Sequence, residues 1–216
     1  MEPRLEEYLA EITESLVGRK AGAGAATKAR ELRRRDLLGF ARSLLVREHT
    51  DERAWRKGAN GERIVGFMLG RLPRGWHVFH DVPVGHRGAN IDHVVVGPSG
   101  AFTLNTKNLT GKIWVGPESI RHNGHPTKYL PAALFEAERA SRLLGAAVGH
   151  PVEVRGVLAI LADGWTITQK PVDVFVGSPR AAKDWMVRLP VTLTAHDVIE
   201  IAAAASKPST WSNHSA

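Results

Sequence analysis

The sequence predicts an α/β protein in which a mixed β-sheet is flanked by helices, and an α+β arrangement would accommodate the same elements. Two observations lead to this prediction. Short runs rich in β-branched residues, such as VEVRGVLAIL and VDVFVG, predict buried strands, and they alternate with segments whose apolar residues recur at helical spacing. Their order is a helix, four strands, a helix, two strands and a helix, which is typical of helices packed against a sheet.

The compact domain is predicted to span residues 51–206. Its first helix, within TDERAWRKGANGERIVGFMLGRLP, follows the N-cap candidate Thr50 and ends before Pro73. The next four strands are predicted in WHVFHDVPV, IDHVVV, AFTLNTK and KIWVG, and the later helices in PAALFEAERASRLLGAAVG and TAHDVIEIAAAASK. Residues 207–216, which end in PSTWSNHSA, are expected to be a disordered tail.

Composition excludes several classes of protein. The chain has 216 residues, of which 43% are hydrophobic, so it is long enough for one domain with a core and an extension. No apolar run reaches the ~18–20 residues that a membrane span needs, and the first residues lack the layout of a secretory signal. The chain contains no cysteine, which excludes disulfides and thiolate metal sites and fits a reducing compartment. We therefore expect a cytoplasmic protein without a membrane partner.

Residues 1–50 are predicted to form a basic helical extension interrupted by the glycine-rich hinge GRKAGAGAA. Eight basic residues and two acidic ones lie between Arg19 and Arg42, which is a net +6 of the chain's +7. Such a segment favours a polyanionic partner, usually nucleic acid. The candidate contact residues are Arg30, Arg33, Arg34 and Arg35.

Two other interpretations of the extension stay open. The charged residues would also suit a solvated helix face. A narrow apolar stripe at helical spacing predicts a helix that packs on a partner, so the extension would then mediate self-association or docking. The residues of that stripe are Leu5, Leu9, Ile12 and Leu16.

One predicted hairpin, NIDHVVVGPSGAFTLNTKN, carries polar residues among its apolar ones. If GPSG joins two antiparallel strands, the numbers of paired residues sum to 197, and Asp92 lies opposite Asn105. Because side chains alternate between faces, Asp92, Asn105 and Lys107 then share one face. Oxygen ligands of this kind suit Mg²⁺, and a lysine beside them can stabilise charge on a phosphoryl group. A structural Asp–Lys pair at a sheet edge is the alternative.

The segments GANGERIVGFML, NIDHVVVGPSGAFTLNTKN and GKIWV resemble the NERD domain, the nuclease-related domain, over about Gly58 to Gly145. The resemblance implies a distant relationship to the PD-(D/E)xK nucleases and a restriction-endonuclease-like core. It also implies that Glu62, Asp92 and Asn105 bind the metal and that these residues and Lys107 form the catalytic set. The implied activity is hydrolysis of phosphodiester bonds in DNA or RNA with Mg²⁺ or Mn²⁺.

Asn105 departs from the family pattern, which places an acid at this position. An amide oxygen can bind Mg²⁺ but brings no charge, so we expect the metal to bind weakly. A carboxylate from the helix after the sheet, Glu136 or Glu138, is a candidate replacement. The alternative function is a non-catalytic module that binds nucleic acid or a partner protein on a degenerate nuclease fold.

The remaining histidines and tryptophans favour structural roles. His122 and His125 flank an Asn-Gly pair that predicts a hairpin turn, and zinc spacing is lacking among the histidines. His93 points away from Asp92 in the predicted hairpin and is expected in the core. Four tryptophans beside apolar runs are also expected in the core: Trp76, Trp114, Trp165 and Trp185.

Overall fold

The computed structural model describes residues 15–21, 48–84 and 89–212. Its helices are α1 (Glu48–Leu69), α2 (Tyr129–Val148), α3 (Pro179–Arg188), α4 (Ala195–Ser206) and α5 (Pro208–Ser212). Its strands are β1 (His77–Val84), β2 (Ala89–Gly97), β3 (Gly100–Asn108), β4 (Ile113–Val115), β5 (Ile120–His122), β6 (His125–Pro126), β7 (Val154–Leu161), β8 (Trp165–Ile167) and β9 (Val174–Gly177). Within these residues, no helix is long and apolar enough to cross a membrane.

The main sheet has five strands in the order β1-β2-β3-β7-β9. The first three strands are antiparallel, and β7 and β9 run parallel to β3. Helices α1 and α3 bury their apolar faces against Phe102 and Leu104 on one face of the sheet. Helices α2 and α4 pack against Val94 and Val96 on the other face. A mixed sheet covered on both faces by helices confirms the predicted α/β class.

A second, four-stranded sheet, β6-β5-β4-β8, leaves the main sheet at the end of β3. One face of this small sheet is buried, because Ile113, Val115 and Ile120 pack against α2 and β7. Its β5–β6 connection is the predicted Asn-Gly turn, with φ values of 52° at Asn123 and 84° at Gly124. Both residues therefore occupy the left-handed region that this tight turn requires.

A segment from the predicted extension packs on the compact domain. Leu16 is 2% exposed and lies in the core beneath α4, and its main-chain N–H donates to the Ser206 carbonyl over 2.9 Å. We call residues 15–21 the strap. The four arginines predicted to contact nucleic acid, Arg30, Arg33, Arg34 and Arg35, lie outside the described residues.

The prediction of a disordered tail is wrong for residues 207–212. Residues 208–212 form α5, in which Trp211 is fully buried and its indole N–H donates to the Ala205 carbonyl over 2.9 Å. One large aromatic side chain packed in the core offsets the serine-rich composition around it. Residues 213–216 lie outside the described residues.

Helix α3 was absent from the predicted elements. It begins with Ser178, whose hydroxyl accepts the N–H of Ala181, and Pro179 occupies its first turn. Its buried residues are small or flexible, Ala182 and Met186, so the apolar stripe is too short to stand out in a sequence window.

Candidate functional site

The predicted hairpin register is confirmed up to the point where the strands separate. Val96 pairs with Ala101, Val94 with Thr103 and His93 with Leu104, so the residue numbers sum to 197. The β2–β3 pairing ends there, whereas β3 continues beside β7 as far as Asn108. The two strands therefore diverge at the end that carries Asp92 and Asn105.

The carboxylate of Asp92 closes the gap between the diverging strands. Its Oδ2 accepts the main-chain N–H of Thr106 over 2.6 Å. A side-chain oxygen thus replaces the main-chain carbonyl that a continued ladder would supply. We call this gap, where β2 and β3 diverge beyond His93 and Leu104, the β2–β3 opening. The bond holds Asp92 at the opening, on the face of the sheet that α2 covers.

Asn105 faces α2 and meets Glu136 there. Its Nδ2 donates to both carboxylate oxygens of Glu136, over 3.0 and 3.2 Å. Glu138, the other candidate for a replacement acid, is exposed on the same helix. Of the two acids proposed from the sequence, Glu136 is therefore the one that reaches the position of Asn105.

Among the residues that the structure describes, two buried oxygens on this face have no hydrogen-bond partner. They are Asn105 Oδ1 and Thr103 Oγ1, and both residues are at least nine-tenths buried. Leaving a buried polar atom unsatisfied costs about 1–3 kcal/mol. The orphaned amide oxygen is an acceptor that a cation or a water would satisfy.

The two carboxyl groups of the site have raised pKa values. Burial, helped by the Asp92 charge, raises the pKa of Glu136 to about 7 against the opposing effects of the Asn105 amide and Lys107. Burial also raises the pKa of Asp92, against the lowering effects of the Thr106 N–H and Lys107. For both acids the cost of desolvation therefore exceeds what the charge of Lys107 offsets.

Lys107 lies on the same face of β3 as Asn105, next to the first residue of α2. Its Nζ is 5.4 Å from the centroid of the Tyr129 ring, the first residue of α2. Its charge lowers the pKa of both Asp92 and Glu136. The helix thus presents Tyr129 to Lys107 and Glu136 to Asn105, two turns apart on one side.

Glu62 approaches from the opposite layer. It is half-buried on α1, directly after Gly61, whose Cα packs against the side chains of Thr106 and Asn108. Helix α1 covers the face of the sheet turned away from Asn105. Among the described residues, three His, Asp or Glu ligand atoms come within 4.8 Å of one another only at His196, Asp197 and Glu200. Glu62, Asp92 and Glu136 therefore do not form a closed three-carboxylate centre.

Asp81 on β1 is a buried acid that the sequence prediction missed. Its carboxylate accepts Arg19 of the strap over 3.0 Å and the Asn90 amide over 2.6 Å. Asp81 also has a φ of 52°, a left-handed conformation that is strained for a residue inside a strand. Its charge contributes to the raised pKa of Asp92. The signal available in the sequence was an acid within the apolar run HVFHDVPV.

The other face of these strands carries a histidine pair. His93 is fully buried, as predicted, and its Nδ1 lies 2.8 Å from Nδ1 of His80. Its Nε2 lies 3.5 Å from the Thr106 hydroxyl. Burial lowers the pKa of His80 and holds that of His93 well below its usual range. The pair is therefore neutral near pH 7, and both ring nitrogens of His93 lie beside a polar partner.

The donor set on the α2 face fits a hard divalent cation. Carboxylate oxygens of Asp92 and Glu136, the orphaned Asn105 Oδ1 and water are the ligand types that Mg²⁺ and Mn²⁺ prefer. Thiolate is absent from the chain, and both histidines near the site lie on the other face. The arrangement favours oxygen-only coordination.

Comparison with known proteins agrees with these features. Residues 57–161 match the family model described as NERD, nuclease-related domain, which extends the resemblance seen in the sequence through β7. An uncharacterised protein of Bacillus anthracis is 35% identical over 81 residues, which cover 36% of this chain and 37% of that protein. The chain thus spans little more than a third of this relative's length. No solved structure matches the chain.

Proposed function

Because residues 57–161 carry a nuclease-related domain, we propose that the α2 face of the β2–β3 opening binds Mg²⁺ or Mn²⁺ and hydrolyses phosphodiester bonds in nucleic acid. The observation that carries the proposal is that one site combines the orphaned Asn105 Oδ1 with the desolvated carboxyl groups of Asp92 and Glu136. A bound cation would satisfy the amide oxygen and lower the cost of both charges.

In this proposal each residue acts through its own chemistry. Asp92 is held by the Thr106 N–H with its second oxygen left for a ligand. Glu136 supplies the charge that Asn105 lacks, and the Asn105 amide orients it. Lys107 stabilises negative charge on the phosphoryl group and helps to orient the attacking water. When bound, the cation would lower the pKa of a coordinated water and screen the phosphate charge.

The alternative is a binding module that no longer cuts. It is favoured by the Asn105–Glu136 hydrogen bonds, which occupy both oxygens of the replacement acid. With the pKa of Glu136 at about 7, that acid is half neutral near physiological pH. A site of this kind would bind nucleic acid through Lys107 and surrounding basic residues while holding a metal too weakly for catalysis.

A cleavage assay separates the two functions. The wild-type protein, Asp92→Asn and Lys107→Met are each incubated with a panel of DNA and RNA substrates, with Mg²⁺ or Mn²⁺ and with EDTA. We expect metal-dependent cleavage by the wild type, and a loss of at least about 100-fold in Lys107→Met, since removing one charge-stabilising donor typically costs that much. Glu138→Gln, exposed on α2, serves as the control and should cleave normally.

Two outcomes would contradict a hydrolytic role. Cleavage that is equal in the wild type and in Asp92→Asn would come from a contaminant. If the wild type cleaves none of the substrates but Asn105→Glu does, the natural protein is the binding module.

A further inference from the structure

The small sheet stands where β3 ends, next to Lys107, and its outer face has no assigned role. Its register places four residues in one row across that face. Trp114 pairs with Arg121 on one side and with Thr166 on the other, and Arg121 pairs with Pro126. The row faces away from the buried Ile113, Val115 and Ile120.

Trp114 departs from the core position expected for it. It is half-buried and lies outside the three core clusters of the described residues, unlike Trp76, Trp165 and Trp185, which pack against them. Its indole lies along its own strand against Gly116, where any Cβ would collide with the ring. The glycine therefore allows an aromatic ring to rest flat on the surface of the sheet.

A cation accompanies this ring. The guanidinium carbon of Arg121 is 5.7 Å from the centroid of Trp114, and Arg121 is exposed. An arginine beside a surface tryptophan can contact a phosphate while the ring stacks on a base.

Charge around the row complements a polyanion. Between Leu109 and Lys128 the chain has three basic residues, two histidines and a single acid, Glu118. Lys112, Arg121, His125 and Lys128 are exposed.

The row is continuous with the proposed site. The main-chain N–H of Thr127 donates to the carbonyl of Ile120, the neighbour of Arg121, over 2.8 Å. The chain then passes through Lys128 to Tyr129, whose ring lies beneath Lys107. A strand of nucleic acid that follows this path would meet two aromatic rings and at least three cations on its way to Asp92.

We propose that the outer face of the small sheet binds the single-stranded part of a nucleic acid substrate and leads it to the site at Asp92. The inference rests on the proposed function only for the direction of the path. Stacking on Trp114 requires an unpaired base, since the faces of paired bases are covered by their neighbours in a duplex. The occupant is therefore a single strand, or a single-stranded end or flap of a duplex.

The test is binding of a fluorescent deoxythymidine oligonucleotide by the full chain in EDTA, measured by anisotropy at several salt concentrations. Trp114→Leu should weaken binding by about 5- to 150-fold, because one base–aromatic stack is worth about 1–3 kcal/mol. Trp114→Phe keeps a ring and should bind within a few-fold of the wild type. Arg121→Ala should reduce the slope of log K against log salt by about 0.7.

Arg180→Ala is the matched control, because this arginine is 83% exposed on α3 at the other face of the main sheet. It should leave affinity and slope almost unchanged. The proposal would be overturned if Trp114→Leu, with an unchanged melting temperature, bound the oligonucleotide as tightly as the wild type. A preference of the wild type for a blunt duplex over the oligonucleotide would also overturn it. Absence of cleavage leaves this binding assay intact, so failure of the hydrolytic proposal is distinguished from failure of this one.

Discussion

The two faces of the β2–β3 strand pair differ in whether their buried polar groups have hydrogen-bond partners. On the α1 face, the ring nitrogens of His93 lie beside His80 and Thr106, and both histidines stay neutral. On the α2 face, Thr103 and Asn105 leave oxygens without partners, and two carboxyl groups have raised pKa values. The same strands thus carry a satisfied network on one side and an incomplete one on the other.

The difference teaches where to look for function. A satisfied polar network contributes to stability and to a unique structure. An incomplete network costs stability, and the missing partner is the natural ligand of the site. Variants on the α1 face should therefore change stability alone, and variants on the α2 face should exchange stability for ligand affinity.

His93→Ala should give the largest change in stability. Removing a fully buried ring and the partner of His80 should lower the free energy of unfolding by about 3 kcal/mol. Chemical denaturation in EDTA measures this, with His77→Ala, an exposed histidine on β1, as the control. Metal affinity per folded molecule should stay unchanged, and a loss of metal binding would merge the two faces into one functional unit.

Glu136→Gln should stabilise the metal-free protein above pH 7. The folded pKa of about 7 exceeds the ordinary value of 4.5, so between these values the folded state holds a proton that the unfolded state has lost. Stability from this group is therefore greatest at low pH and is lost as pH rises through 7. The variant should gain about 2 kcal/mol over the wild type at pH 8 and little at pH 5.

The pH dependence is measured by urea unfolding at both pH values in EDTA, with Glu138→Gln as the control on the same helix. A constant difference between Glu136→Gln and the wild type at pH 5 and pH 8 would show that Glu136 is not a desolvated acid.

Asn105→Asp should tighten Mg²⁺ binding by about tenfold, because it restores a charge at the opening. Without metal it should also destabilise the fold, since a carboxylate would then face Glu136 in place of the donating amide. Calorimetric titration with Mg²⁺ measures the affinity. Asn108→Asp, at the end of the same strand, is the control and should leave the affinity for Mg²⁺ unchanged. An equal response from both variants would place the charge effect outside the opening.

Thr103→Val should give the smallest effect and the most direct test of the contrast. The substitution keeps the shape and removes an unpartnered hydroxyl, so it should stabilise the protein by about 1 kcal/mol. Thr106→Val, on the opposite face, removes a hydroxyl beside His93 and should destabilise it by a similar amount. Changes in melting temperature of opposite sign in the two variants would support the contrast between the faces, and changes of the same sign would contradict it.

Local patterns in the sequence were sufficient for the hairpin. The GPSG turn and strict alternation set the register, so Asp92, Asn105 and Lys107 were predicted on one face. The opening between the strands was not predictable, because it depends on a side-chain oxygen of Asp92 replacing a main-chain acceptor. Glu136 was only one of two candidates, since choosing between Glu136 and Glu138 requires the rotation of α2 about its axis.

Long-range packing accounts for the other differences. Asp81 lay in a strand that was predicted correctly, but its partner Arg19 is 62 residues away, and no periodic pattern joins them. Trp114 lies beside apolar residues in the sequence. In the three-residue strand β4, however, Ile113 and Val115 face the core, so alternation places Trp114 on the outer face. Trp211 shows the converse, because a single aromatic residue anchors a segment of otherwise polar composition.

The strap has a consequence for how this chain folds. Its residues are synthesised before every other described element, yet Leu16 pairs with Ser206, at the far end of α4. Closing so distant a contact is slow relative to forming hairpins and helices, because a long loop must be ordered first. On the ribosome, the contact of Leu16 with Ser206 therefore forms only after α4 has emerged, and until then the apolar residues of the core that pack around Leu16 stay partly exposed.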